Sequence, residues 1–446
     1  MAAPDALELL TSLIGRAKDA GADGADAVLF SSAAVNLTQR LGKSEGIERS
    51  ESTDLGLRVF IGKRQAVVSS TDILPKALEE LAERATVMAR AAPEDPYCGL
   101  ADATDLATGI PDLDICDGVE PSTATLEARA VAAEDAARAV AGVTNSEGAD
   151  ASWSHTAVSL ATSEGFAARY ERSRHGISVA VLAGKGTEME VDYDFSSAIH
   201  GADLDDPTAI GKRAGEKAVK RLGPRKVASA TVPVVYDPRV SRSLLRHLAA
   251  AINGAAVARG TSFLKDAMGK EIFAPNVTII DDPHRRRGLG SKPFDGEGIG
   301  GQRRQVISNG KLGTWLLDQR SARQLGLKST GHATRGTSGP PSPSATNLYL
   351  EAGTLSPEAL IGDIKSGLYL TELIGMGVNI VTGDYSRGAS GFWIEDGAIT
   401  YPVSEITVAG QLAEMFANLA AADDLVFRYG TDAPTLRIDG MTVAGK

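Results

Sequence analysis

VSRSLLRHLAAAINGAAV, residues 240–257, is the stretch around which this chain is organised. Leu245, Leu248, Ile252 and Ala255 or Ala256 recur at helical spacing, so one face is apolar. Arg239, Arg242 and Arg246 fall on another face, at i, i+3 and i+7. Asp237 ahead of Pro238 supplies a cap for the first turn, and Gly260 supplies a stop. The spacing predicts a single helix over 240–257. From Pro238 through Lys265 there is no Asp or Glu, and His247 is the only histidine. A helix that holds catalytic zinc needs two imidazoles aimed at one point and a carboxylate to take a proton from bound water. Here the helical setting exists without those ligands.

Composition narrows the class. A chain of 446 residues has room for two or three domains. A formal charge of −11 argues against general affinity for nucleic acid or an anionic membrane surface. No apolar run approaches the roughly 18 residues that span a bilayer. The amino terminus, MAAPDALELLTSLIGRAKDAG, is amphipathic with early acidic residues and lacks the basic start of a signal peptide. The expected location is the cytoplasm. Cys98 and Cys116 sit in a polar loop region and are read as incidental, since two thiols make no disulfide framework.

The amino half predicts a helix over 4–20, a strand over Ala25–Arg40, a turn at Gly42–Gly46, and strands at Gly56–Phe60 and Gln65–Ser70. Pro75 opens a helix to Arg90, a long loop fills 92–117, and Ser122–Ala141 is a second long helix. Strand patterns follow at Val143–Ser154, Ala157–Glu164, Gly176–Leu182 and Thr187–Ser197, then a helix from Asp206-Pro207 to Leu222. Gly223-Pro224-Arg225 marks the expected boundary between a domain of residues 1–223 and one of 224–446. Beyond it, Thr231–Tyr236 and Val277–Asp281 read as strands, and Ser308-Asn309-Gly310 and Glu395-Asp396-Gly397 as hairpin turns. Residues 336–345 read as a flexible loop, Gly410–Ala421 as a short helix, and Arg428–Lys446 as short strands. Strands and helices do not alternate as βαβ units. The fold class is α+β: an amino-terminal antiparallel sheet with long helices, and a strand-rich carboxyl domain around the central helix.

Searches for chemistry return little. There is no Gly-x-Ser-x-Gly; Gly388-Ala389-Ser390-Gly391 is one residue short. No Gly-x-Gly-x-x-Gly opens a helix after a strand. None of the six histidines has another within a helical turn. His332, in Thr330-Gly331-His332-Ala333-Thr334-Arg335, stands out because glycine beside a His and an Arg lets backbone approach a ligand. The arginine stripe is read either as a wet face or as a contact for an acidic partner or a peptide carboxylate.

The carboxyl half resembles the TldD/PmbA family, on its PmbA (TldE) side. The resemblance is carried, in order, by Ala258–Phe263, Ile280-Asp281-Asp282, Gly290–Gly298 (GSKPFDGEG) and Leu316-Leu317-Asp318. It continues through Thr330-Gly331-His332-Ala333, Ala345–Leu350 (ATNLYL), Gly388–Gly397 (GASGFWIEDG) and Thr400–Val403. Gly56–Val59 and Ser69–Asp72 fit more loosely. In that family the TldD-type subunit carries a His-Glu-x-x-x-His helix and a carboxyl-terminal cysteine as its metal site. This chain has Leu245-Arg246-His247-Leu248-Ala249-Ala250-Ala251 there and no cysteine after Cys116.

The resemblance therefore implies the partner that lacks metal: no catalytic residues and no cofactor of its own, with zinc expected on a TldD-type paralogous subunit. The implied pair is a heterodimeric zinc protease acting on unfolded peptides. Apolar edge strands imply association, which leaves a homodimer open to the chain when that partner is absent. Candidates for peptide or partner contact are Arg242, Arg246, His332, Arg335, Asn347, Ser390, Gly391, Phe392 and Trp393. Gly388–Ile394 and Ala345–Leu350 are expected to be sheet edges that pair with an extended peptide. Two other readings compete: a stand-alone hydrolase using His332, Arg335 and Asp384, and a homodimeric peptide-binding scaffold.

Overall fold

A computed structural model describes residues 5–445. The expected helix start at residue 4 and the last residue, Lys446, lie outside them. The amino half is built on α1 (Ala6–Asp19), β1 (Gly24–Arg40), β2 (Lys43–Ile61), β3 (Arg64–Ser70), α2 (Pro75–Ala91), α3 (Thr123–Arg138), β4 (Val143–Thr162), β5 (Ala167–Ala183), β6 (Glu190–Ala198) and α4 (Pro207–Lys220). Its strands form one six-stranded antiparallel sheet in the order β3-β2-β1-β4-β5-β6. Caps start the helices where the sequence places them: Asp5, Ser122 and Asp206 accept backbone N–H groups, and α2 and α4 begin with proline.

Period-two alternation gives this sheet two different faces. Ala25, Ala27 and Leu29 pack with Leu57 and Val59 beneath α1 and α2. Val28, Val158 and Leu160 point the other way, onto Phe166 and Phe294. Three strand readings need correction, the first being Gly176–Leu182, which is only the end of β5, a strand that begins at Ala167. The strand expected at Gly56–Phe60 is the inner end of a far longer β2, whose residues 43–52 are exposed. An exposed ribbon needs no apolar residues, so its sequence resembles a loop. The break expected near His155 does not exist, and β4 runs through it.

The carboxyl half contains β7 (Ala230–Tyr236), α5 (Pro238–Ala251), α6 (Gly254–Ala258), β8 (Ile279–Asp281), β9 (Arg304–Ser308), β10 (Lys311–Leu312), α7 (Gln319–Leu325), β11 (Ala333–Thr334), β12 (Ser342–Pro343) and β13 (Leu348–Leu350). It continues with α8 (Pro357–Ile361), β14 (Ser366–Ile374), β15 (Asp384–Glu395), β16 (Ala398–Gln411), α9 (Leu412–Ala417), β17 (Leu419–Ala421), β18 (Thr431–Asp432) and β19 (Leu436–Ala444). Strands β16-β15-β14-β7-β19 form a sheet that closes into a barrel, because β16 also pairs with β19. A smaller sheet runs β10-β9-β8-β13-β18. The apolar face of α5, with Leu244, Leu245 and Leu248, shares one core with both sheets.

The single helix expected over 240–257 is two. The α5 ladder ends at Ile252, and the Asn253 side chain accepts from Ala255 N (3.0 Å) and Ala256 N (3.4 Å) to start α6. At the break Gly254 N donates to Leu316 O (2.8 Å) outside the helix, and a Cβ there would meet Leu317 Cδ2 at 2.5 Å, so this close approach requires glycine. Both hairpin turns form, with positive φ at Asn309 (47°) and Gly310 (80°), and at Asp396 (46°) and Gly397 (77°). The helix expected at Gly410–Ala421 keeps only Leu412–Ala417; Leu419–Ala421 pairs with β19 instead. Residues 336–345 include β12, which pairs back on β11.

Neither expected edge is an edge. Gly388–Ile394 lies in β15, between β14 and β16. Ala345–Leu350 leads into β13, between β8 and β18. Barrel closure satisfies the backbone groups that an edge would offer a peptide.

Candidate functional site

The loops that carry the family resemblance meet where the carboxyl half covers the second face of the amino-terminal sheet. A network of buried charges fixes this junction. Asp26 on β1 faces Arg58 directly across the ladder and accepts from its Nε at 2.9 Å and from its Nη2. Its other carboxylate oxygen accepts from Nη1 of Arg335. Arg58 also faces Glu297 at 3.8 Å, and Glu297 accepts from Gln319 N (2.8 Å) at the start of α7. Burial works against the Asp26 charge, but Arg335 and Arg58 together hold its carboxyl below the ordinary range. Glu297 goes the other way: burial, reinforced by Asp295 and Asp318 against the opposing pull of Arg58, pushes it up to about 8.

His332 and Asn347 are internal ties. His332 bonds Thr330 Oγ1 through Nδ1 (2.8 Å) and Asp281 Oδ1 through Nε2 (3.1 Å), with the ring 1% exposed. Both nitrogens are engaged. Asn347 accepts from Gly290 N (2.8 Å) and donates to Asp282 O (2.6 Å) and Ser291 Oγ (2.8 Å), stitching the 282–291 loop to β13. Asp384 bonds Thr382 and Gln411 at the exposed start of β15, so it joins neither His332 nor Arg335.

A cavity of about 440 Å³ opens between the sheet and these loops. Tyr170, Arg172 and Arg174 reach it from alternate positions of β5, and Gly290–Lys292, Phe294–Gly296, Ala333–Arg335 and Ser344–Thr346 line it from the carboxyl half. Arg172, Arg174 and Lys292 were missed at the sequence level. Arg172 and Arg174 fall between the strands expected from the sequence and share a face only because β5 starts at Ala167; the lysine of GSKPFDGEG was the one available signal.

The remaining candidates lie elsewhere. Arg242 stacks 4.0 Å from the Tyr429 ring centroid, while Arg246 is exposed. The neighbouring Arg239 pairs with Asp192 (2.6 Å) and stacks on Tyr193, both on β6, so the stripe is largely not a wet face. Ser390 donates to Glu372 (2.8 Å) and accepts from Arg221 Nη2 (3.3 Å), at a seam between the end of α4 and the barrel. Gly391 admits no side chain, since a Cβ would sit 2.0 Å from Tyr369 O. Phe392 lines a second cavity, of about 560 Å³, with Tyr369 and Ile399, and Trp393 is buried in the barrel core.

The antiparallel α+β half and the strand-rich barrel half coincide with the domains of a known metallopeptidase family. Residues 229–445 match the PmbA/TldA metallopeptidase C-terminal domain, 117–222 the central domain and 25–89 domain 1. The chain is 36% identical to the metalloprotease PmbA of Escherichia coli O157:H7, over 95% of this chain and 93% of that one. It superposes on a Bacteroides thetaiotaomicron protein named for modulation of DNA gyrase with a TM-score of 0.91 and 26% identity, over 100% of both chains. TldE from Thermococcus kodakarensis shares the fold, with a TM-score of 0.88 at 21% identity, covering 98% of this chain and 100% of that one. This chain belongs to the TldD/PmbA family of metallopeptidases, on its PmbA (TldE) side.

The family implies a catalytic metal, and α5 does not fit one. Its one imidazole, His247, packs edge-on against Tyr385 (centroids 5.9 Å apart), and its buried Nε2 has no hydrogen-bond partner among the described residues. Burial, then the charges of Arg387 and Arg246, push His247 down to about 4. A zinc ion needs several such donors and no adjacent cations. Among the described residues, one group of three ligating side chains could share an ion: Cys116, His155 and Glu171, next to the amino-terminal sheet. Its carboxylate is already paired with Arg169 (2.6 Å) and His155 (3.0 Å), and burial pushes the Cys116 thiol up, away from the thiolate a metal needs. Among the described residues, no helix is long and apolar enough to cross a membrane.

Proposed function

We propose that this chain is the non-catalytic, metal-free subunit of a heterodimeric zinc metalloprotease that degrades or trims unfolded peptides in the cytoplasm. A TldD-type paralogue supplies the zinc, and this chain shapes the peptide-binding chamber. The observation that carries the reading is the α5 ligand set: a lone imidazole beside two guanidiniums, with no carboxylate from Pro238 to Lys265. Association is supported by the tip between β14 and β15, where Ile374, Met376 and Val381 are 59%, 93% and 55% exposed. When the partner is absent, the same surface serves a homodimer.

The test is reconstitution. The purified chain is mixed with its TldD-type paralogue, and cleavage of an unstructured peptide is followed with and without chelator. The expected result is zinc-dependent cleavage that neither chain shows alone. A paralogue fully active without this chain, or one zinc bound per lone chain, overturns the reading.

A further inference from the structure

The cavity at the domain junction is out of electrical balance. Among the described residues, Arg172, Arg174 and Lys292 form no ion pair. Arg172 donates to Leu289 O (3.1 Å), Arg174 to Ser197 Oγ (2.7 Å) and Lys292 to Ala333 O (2.8 Å). Arg335 also lines the cavity, and its buried Nε and Nη2 have no hydrogen-bond partner among the described residues. The one acid in the lining, Asp295, is turned onto backbone: it accepts from Glu297 N (2.9 Å), Ile299 N (3.0 Å) and Ala333 N (3.0 Å). Burial pushes Asp295 up and Lys292 down, so this pair is weakened on both sides and the excess charge rests chiefly on Arg172 and Arg174. Beside the cations the wall is aromatic, with Phe30, Tyr170 and Phe294.

We propose that this cavity binds the terminal carboxylate of a peptide whose last side chain is apolar. Arg172 and Arg174 hold the carboxylate through planar, two-pronged contacts, with Lys292 as a point charge. The last side chain packs on the aromatic wall. An inorganic anion leaves that wall bare, and an uncharged side chain leaves the cations unmatched; a chain terminus satisfies both. The volume lies within the roughly 300–1,000 Å³ of small-ligand clefts. This inference rests on the peptide-chamber reading above and adds a substrate class to it: peptides with a free carboxyl end and an apolar last side chain.

The experiment uses the lone full-length chain and fluorescence anisotropy of an amino-terminally labelled, unstructured hexapeptide ending in leucine. The expected result is that replacing the terminal carboxylate by an amide weakens binding about tenfold or more, the loss typical of a charged hydrogen-bonding group. Arg174→Met, at an exposed position, gives a similar loss with an unchanged unfolding midpoint, and so does Arg172→Met. N-acetyl-leucine competes and inorganic phosphate does not. Equal affinity for acid and amide overturns the proposal. So does wild-type binding by Arg174→Met, full rescue of the amide by an internal glutamate, or competition by phosphate as strong as by N-acetyl-leucine. Binding to the lone chain does not depend on the partner's zinc. Failed reconstitution with intact terminal binding sinks only the subunit reading, and the converse sinks only this one.

Discussion

Arg335 donates a hydrogen bond to Asp26 across 309 residues of sequence, with both side chains 1% exposed. This contact pins a carboxyl-half loop to the first strand of the amino-terminal sheet. Asp26 also neutralises Arg58, so one carboxylate serves two buried guanidiniums.

Removing that carboxylate leaves Arg335 without its ion-pair partner and Arg58 with only Glu297, 3.8 Å away, in a dry site. Asp26→Ala is expected to destabilise the protein by about 3–5 kcal/mol, as for other broken buried pairs. Adding Arg335→Met to it is expected to cost less than the sum of the two single changes, because the pair is coupled. Urea unfolding of the four proteins measures both quantities. Strict additivity would show that the contact carries no coupling.

Glu297 predicts an unusual pH dependence. The folded protein keeps its proton up to about 8, whereas an ordinary glutamate releases it near 4.5. Between those values the folded state binds the extra proton, so this contribution to stability falls as pH rises from about 4.5 to about 8. Glu297→Gln keeps an acceptor for Gln319 N and removes the slope. Urea midpoints between pH 5 and pH 8.5 compare the two; parallel curves would refute the assignment.

Helix α5 predicts a contrast between neighbours. Leu248 is fully buried, and Leu248→Asp is expected to destabilise by about 3–5 kcal/mol through an unpaired buried charge. His247→Ala is expected to leave cleavage by the assembled pair within about twofold, since water-activating chemistry resides on the other subunit. His247 stays neutral in the fold down to about 4, while an unfolded histidine charges near 6.5. Its contribution to stability is therefore complete above 6.5 and lost as pH falls toward 4, and His247→Phe abolishes that loss. Turnover abolished in a folded His247→Ala protein would reverse the role given to this chain.

Local rules were readable from the sequence. Asn309-Gly310 and Asp396-Gly397 turn because their backbone needs positive φ, and Asp237-Pro238 starts a helix because the cap and the ring fit one turn. What depended on neighbours was not readable. Nothing within GASGFWIEDG tells whether β15 has one paired side or two; that follows from where β14 and β16 fold. His332 has the surroundings of a ligand-binding residue, and only the approach of Asp281 and Thr330 shows both nitrogens engaged. Arg172 and Lys292 lie far apart in sequence, so their shared cavity exists only after the halves dock.

The barrel has a consequence for biosynthesis. Tyr236 on β7 reaches Met441 on β19 across 205 residues, and β7 lies between that late strand and β14. While a ribosome is still making the intervening stretch, Thr231–Tyr236 can pair with β14 on one side, but its other side has no β19 partner. The barrel therefore closes only when residues 436–444 have been made, after all its other strands.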